Sequence, residues 1–308
     1  MDEFKKTVVI TGASSGIGRS SVLQMSQSGW RVFATVRKPG DQDSLRKEGG
    51  ADVIPVLMDV EDESSISVAA QEIESQLSGR GLDGLVNVAG IGVVRPLEYV
   101  SLKDLRQIFE VNVFGQIAVT QALSRSLRQA RGRIVNITSV GVNIAIPFGG
   151  LLNASKSAFG LLSDTMRLEL HPFGIRVSAI EPGAISTPAV DKTLGDIDRV
   201  IGNLPPEAQA QYGSMMRVFA RVAYEREKSG SSPDVVAKAV HHALTSRRPR
   251  IRYRVGNHAK LLTAMSKILP ESVLDAIRLR MFGLTGSSRS DSRAVRSTPA
   301  GSTLHRVG

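Results

Sequence analysis

The chain has 308 residues, 42% of them apolar and 22% charged, enough for one large α/β domain or two small ones with a sizeable buried core. It contains no cysteine, which excludes disulfide scaffolds, thiol catalysis and zinc–cysteine sites. No apolar run approaches the roughly 18 residues that a membrane span needs, and the formal net charge is +10.

The opening MDEFKKTVVITG enters a strand-like run without a secretory h-region, so the expected location is cytoplasmic. Residues 7–11 (TVVIT) read as a buried strand and 17–28 as a helix after a glycine turn. Residues 31–36 and 53–58 give the second and third strands, after which Ile66, Ala69, Ala70, Ile73 and Leu77 recur at helical spacing. Residues 82–88 give a fourth strand, and a long helical stretch follows from about 101 to 130. A fifth strand at 133–138, a helix over 153–171 and a sixth strand at 175–180 complete the regular part.

From 188 to 232 the pattern loosens into an insertion, expected to lie over the carboxyl ends of the strands, where open α/β sheets bind ligands. Residues 234–245 are helical again. PRIRYRVG at 249–256 alternates strictly, the mark of a seventh strand, and two amphipathic helical runs split by Pro270 follow. Residues 286–308 are Ser/Arg/Gly-rich without periodicity and read as a disordered basic tail. Strand and helix alternate, and the strands are apolar on both faces. The expected architecture is therefore a single α/β domain over 1–285, a doubly wound parallel sheet in the order 3-2-1-4-5-6-7.

The strongest local signal is TGASSGIG, Thr11 to Gly18, between the first strand and the first helix. Gly12, Gly16 and Gly18 let the backbone turn sharply and approach a phosphate, while the helix start offers free N–H groups and the positive end of its dipole. A glycine trio alone is weak, since a plain tight turn gives the same pattern. Its placement is what raises it: this is where a dinucleotide binds.

TG-x3-G-x-G is the spacing of the short-chain dehydrogenases/reductases, and further segments match that family in order over about 5–285. Asn87-Val88-Ala89-Gly90 resembles the family's NNAG turn, with Val88 in place of the second asparagine. Asn112 in EVNVFG matches the helix asparagine, Ser139 in NITSVG the catalytic serine, and Lys156 in NASK the lysine of the YxxxK motif. Pro182-Gly183-Ala184-Ile185-Ser186-Thr187 matches the PG-x-I-x-T segment around the nicotinamide amide.

The resemblance implies a Rossmann fold and a role for each matching residue. Gly12, Ser14, Ser15, Gly16, Ile17 and Gly18 would cradle the cofactor phosphates. Asp59 in LMDV would contact the adenine, and Asn87, Ala89 and Gly90 would line the cofactor. Lys156 would bind the nicotinamide ribose, and Pro182, Gly183, Ile185 and Thr187 the nicotinamide. Ser139 would hydrogen-bond the substrate oxygen, and Asn112 would hold a water near Lys156.

One motif is broken. The family's tyrosine should stand four residues before Lys156, and that position is Leu152, with no tyrosine between Phe148 and Asn153 to slip into register. Leucine cannot carry the proton of an alcohol. A positioned acid–base group contributes about 10²–10⁴-fold, so activity is expected to be reduced, or rerouted through a water between Ser139 and Lys156.

Charge decides the cofactor. An NAD enzyme usually ends its second strand with a carboxylate for the ribose 2′-OH, whereas an arginine suits a 2′-phosphate. Here the strand ends in Val36, Arg37 and Lys38 with no acid before Asp41, which points to NADP(H). LPPEAQAQYG, HHALTSRRPRIRYRVGNHAKLL and LPESVLDAI resemble the retinol and 17β-hydroxysteroid dehydrogenase branch. That likeness implies a hydrophobic alcohol or carbonyl substrate, steroid-, retinoid- or lipid-like, and a homo-oligomer, dimer or tetramer. The alternative is a non-catalytic NADP(H)-binding or sensing relative.

The surplus charge is local: residues 247–260 hold six cations and no acid, residues 286–308 a net +3, and the other 271 residues only +1. Nucleic acid is a poor fit to the arginine strand, because Tyr253 alone could stack on a base. A solvated sheet edge fits better. Weak contact with an anionic membrane is intermediate, through the apolar faces of Leu261, Leu262, Met265, Ile268 and Leu269. His171, His241 and His242 lack metal-ligand spacing, so no metal is expected.

Overall fold

The computed structural model describes residues 5–285. Seven strands, β1 (Thr7–Ile10), β2 (Arg31–Val36), β3 (Val53–Leu57), β4 (Gly84–Asn87), β5 (Arg133–Ile137), β6 (Arg176–Pro182) and β7 (Arg252–Val255), pair in parallel in the order β3-β2-β1-β4-β5-β6-β7. This is the expected doubly wound sheet. Strand residues alternate between its faces. Val8, Ile10, Val32 and Ala34 pack with Val22 and Met25 of α1 (Gly16–Gln27) and with Val236 and Val240 of the later helix over 234–245. Val9, Phe33 and Leu85 meet Ile66 and Ile73 on the other side.

Helix α2 (Gly40–Gly49) was not among the expected elements, and its composition explains why: only Leu45 is buried, so no apolar period marks it. Its signal lies in charge, with Asp41 and Asp43 in the first turn and Arg46 and Lys47 in the last, complementing the helix dipole. Helix α3 (Glu63–Leu77) begins at Asp62, whose carboxylate accepts from the Ser64 and Ser65 amides. The stretch expected as one helix over 101–130 is interrupted. It consists of α4 (Leu102–Phe109), a π turn (Glu110–Phe114), α5 (Gly115–Ala122) and α6 (Ser124–Ala130). Such π turns often mark functional sites, and this one carries Asn112.

A short 3₁₀ turn (Val140–Asn143) follows β5, and α7 (Gly150–Glu169) packs on that turn, on the π turn and on β6. The insertion contains α8 (Pro188–Leu194), α9 (Ile197–Gly202) and α10 (Pro206–Lys228). With Val94 and Phe282 these form a third apolar cluster around Ile201, Leu204, Met216 and Phe219. Helix α11 (Asp234–Thr245), then α12 (Ala259–Ile268) and α13 (Glu271–Met281) on either side of Pro270, close the described chain. The tail read as disordered lies outside the described residues.

The arginine strand is not a solvated edge. Tyr253 is buried, its hydroxyl bonded to His242 Nδ1 at 2.8 Å, and Arg252 and Arg254 both pair with Glu181, which is fully buried in β6. On α12, Leu261 and Ile268 are exposed while Leu262 and Met265 are half-buried. Among the described residues no helix is long and apolar enough to cross a membrane.

Candidate active site

The site begins where β1 ends. Thr11 Oγ1 accepts from the Val88 and Ala89 amides at 2.9 and 3.1 Å, tying the first βα turn to the fourth. Gly12 has φ +63°, and a Cβ there would stand 2.9 Å from Ala89 Cα, so only glycine lets the two turns touch. A Cβ at Gly18 would lie 2.1 Å from the Gly12 carbonyl oxygen, which brings the start of α1 hard against the turn. Ser15 is the extended N-cap of α1, and its hydroxyl caps nothing. The first amides of α1, at Gly16, Ile17 and Gly18, are therefore left for a ligand at the positive end of the helix. The Ser14 carbonyl is held by Arg19 Nη1 at 3.1 Å, and Gly16 lies against Thr187. These residues fit a dinucleotide pyrophosphate.

At the adenine end, Arg37 is exposed just past β2. The sequence gives it no nearby acid, yet the fold does: Glu61 approaches from beyond β3, with Arg37 Nη1 to Glu61 Oε2 at 3.7 Å. Asp59 is half-buried, and its Oδ1 accepts from the Glu61 amide at 3.1 Å.

The reacting end is set by β4, β5, the π turn and α7. Asn87 is buried and turned into the protein, donating to Thr120 Oγ1 and Asn136 Oδ1, while its own Oδ1 has no partner among the described residues. It supports the turn from beneath. Asn112 is buried in the π turn. Its amide accepts from Ile91 N at 2.8 Å and donates to Ile91 O and Ser155 Oγ, so it clamps the segment after β4 onto α7. Ser139 caps the 3₁₀ turn by accepting from the Gly141 amide at 3.0 Å, an arrangement that keeps its own proton available to donate.

Lys156 is buried, with Nζ donating to the Ile137 carbonyl at 2.9 Å. Burial lowers its pKa to about 8. A methyl group placed on Gly90 would sit 3.2 Å from Asn112 Oδ1 and 3.4 Å from Lys156 Nζ, so these two groups converge on that glycine. Leu152, one helical turn before Lys156, is half-buried and faces Gly92, which in turn neighbours Thr193 of α8. The position carries no ionisable group.

The segment from Pro182 to Thr187 leaves β6 and is pinned from α10. Ile185 N donates to Glu227 Oε2 at 3.3 Å, and the backbone of Ser231 bonds to both Ala184 and Ser186. Burial raises the Glu227 pKa. Gly183 packs against the Asn257 carbonyl. The insertion brings an apolar cluster to this end of the sheet, in which Phe148 meets Tyr212 and Phe219 edge-on, with ring centroids 6.2 and 5.3 Å apart.

The sequence reading placed Thr11 in the glycine motif without a role and missed Glu227 and Gln116, whose amide donates to the Ala89 and Val111 carbonyls. Gln116 stands one helical turn after Asn112, so the two amides share a face, which is the signal that could have found it.

A family model described as short chain dehydrogenase matches residues 6–197. Human retinol dehydrogenase 5 is 37% identical over 278 residues, covering 88% of this chain and 86% of that protein. Rat 17-beta-hydroxysteroid dehydrogenase type 6 is 33% identical over 277 residues, covering 88% and 87%. Among solved structures, a short-chain dehydrogenase from Streptomyces avermitilis superposes with a TM-score of 0.69 at 25% identity, covering 97% of this chain and all of that one. With its seven-stranded sheet and dinucleotide cradle, the chain belongs to the short-chain dehydrogenase/reductase family, in the branch of the retinol and steroid dehydrogenases.

Proposed function

We propose that the protein is an NADP(H)-dependent oxidoreductase of hydrophobic alcohols or carbonyls whose proton transfer is weakened by Leu152. The observation that carries this reading is a complete cradle joined to a reacting end in which Ser139 and Lys156 are in place and position 152 is apolar. When bound, the nicotinamide supplies or takes up the hydride. Ser139 donates its hydroxyl proton to the substrate oxygen as a hydrogen bond and orients it. Lys156 holds the ribose hydroxyls, and its ammonium, with a pKa of about 8, stands close enough to neutral pH to feed a proton through water to the same oxygen. Arg37 pairs with the 2′-phosphate. Its exposed contact to Glu61 is worth little and gives way to a bidentate phosphate. The aromatic and aliphatic cover contributed by α8 to α10 favours a lipophilic, steroid- or retinoid-like substrate.

Leu152 also favours a second reading, a protein that binds NADP(H) without turning it over. Two measurements on the purified chain separate them. Calorimetry should give tighter binding of NADPH than of NADH, and NADPH consumption should appear with a panel of lipophilic ketones and aldehydes. Tight binding without turnover on any of them selects the sensing role, and equal affinity for the two cofactors removes NADP(H) preference from both readings.

A further inference from the structure

A cavity of about 310 Å³ lies apart from the dinucleotide cradle, between α7, the β6–β7 edge and α12. Its walls include Val142, Ser157, Leu161, Asp164 and Lys267, over a floor of paired charges. Glu181 is fully buried there and accepts from both Arg252 and Arg254, and Arg252 reaches on to Asp164. A partly buried network of this kind contributes little net stability, because desolvation of the buried Glu181 cancels much of the Coulomb gain and solvent screens the rest. Its effect on geometry is larger. Arg254 meets Glu181 through Nε at 3.0 Å, so the carboxylate fixes the guanidinium while its two terminal nitrogens have no partner among the described residues. Lys267, on the cavity wall from α12, makes no ion pair among the described residues.

The charge balance points the same way. Arg252, Arg254 and Lys267 face Asp164 and Glu181, leaving one positive charge over, and Arg167 stands 3.8 Å from Asp164 as a further cation. We propose that this cavity is a second ligand site, one that binds a small organic oxyanion: a carboxylate or a phosphate monoester. Two of its oxygens engage the free edge of Arg254 and the Lys267 ammonium, and its apolar part rests on Val142 and Leu161. The prefixed arginine lowers the ordering cost of binding. An occupant would also touch the frame of the reacting end. Val142 belongs to the turn capped by Ser139, Ser157 Oγ donates to the Val142 carbonyl at 3.1 Å, and Glu181 leads directly into Pro182.

The test is calorimetry of the full chain with phenyl phosphate and with benzoate at fixed ionic strength in chloride, repeated with NADP⁺ present. Saturable one-to-one binding of at least one probe is expected, unaffected by NADP⁺ and by Arg37→Ala. Lys267→Ala, at an exposed position, and Arg254→Lys, which keeps the charge and loses the fork, should each weaken it about tenfold. The relative strength of the two probes tells phosphate from carboxylate. The proposal is overturned by no binding of either probe, by binding that NADP⁺ displaces, which would place the probe in the glycine turn, or by binding that Lys267→Ala leaves unchanged.

Discussion

The two ends of the cofactor cleft are built by different means. At the phosphate end the determinants are backbone: Thr11 holding two amides, Gly12 against Ala89, and Gly18 against the Gly12 carbonyl. No substitution there escapes the fold, because a side chain at Gly18 would meet a carbonyl at 2.1 Å. At the reacting end the determinants are side chains on a frame that does not depend on them. Leu152 rests beside Gly92 and disturbs nothing that Asn112, Ser155 or Lys156 holds. The backbone of the glycine turn and the side chain at position 152 are thus independent elements, so position 152 can be changed without touching the turn.

The sharpest way to test that separation is Leu152→Tyr. The hydroxyl would enter one helical turn from Lys156, whose ammonium lowers the pKa of a neighbouring phenol. Turnover on a carbonyl substrate should rise at least about tenfold, toward the 10²–10⁴ range of a restored acid–base group. Cofactor affinity should stay as it is. A variant that binds NADPH normally and reduces no carbonyl faster than the parent would show that proton transfer is not the missing step.

Lys156 gives the next largest effect, and it appears in stability. Burial lowers its pKa from 10.5 to about 8 in the folded chain. Between about pH 8 and 10.5 the unfolded chain holds a proton that the folded chain has released, so unfolding free energy rises with pH across that window. The full rise is about 3 kcal/mol at 1.36 kcal/mol per pKa unit. Lys156→Met removes it. The stability of the parent relative to this variant should therefore grow from pH 8 to pH 10.5 in chemical denaturation; a constant difference would mean that the ammonium is not desolvated.

How much of this was legible follows the same division. Strand β2 and helix α11 fall on the residues expected, because each has a clean apolar period bounded by turns. The glycine turn was legible for a similar reason, since its geometry is carried by residues whose type dictates backbone. Helix α2 was missed because it buries one leucine, and the π turn because periodicity averages over a single extra residue. The alternation of β7 was legible, but alternation cannot reveal what its arginines meet, here Glu181. Thr11, Gln116 and Glu227 act through contacts more than 20 residues away in sequence, and local pattern holds no record of those.

At the adenine end the comparison can be broken from the other side, by changing cofactor choice without touching chemistry. Arg37→Asp replaces the phosphate partner with an acceptor for a ribose hydroxyl and sets a like charge against Glu61. NADPH affinity should fall about tenfold, the low end for a charged hydrogen bond. NADH affinity should hold or improve in the same calorimetric series. An unchanged ratio would mean that Arg37 does not read the 2′-phosphate.

The smallest effect belongs to Glu227, which ties the insertion to the segment after β6. It is a positioning residue, holding the Ile185 amide from α10 while touching neither the glycine turn nor Leu152. Burial raises its pKa, and the Ile185 N–H and Arg226 pull it only partly back. An acid with a raised folded pKa contributes stability that is present below its unfolded pKa and lost as pH rises through the folded value. Glu227→Gln keeps an oxygen for the Ile185 amide and removes the charge, so its stability advantage over the parent should widen as pH rises above the ordinary carboxylate range. Glu227→Ala releases the amide, and cofactor affinity should fall roughly fivefold, the size of one lost hydrogen bond. Rescue by glutamine with loss by alanine identifies the hydrogen bond as what holds the segment after β6 in its binding conformation. If both variants bind cofactor alike, the segment is held by backbone bonds to Ser231 and Val255, and α10 serves only as cover.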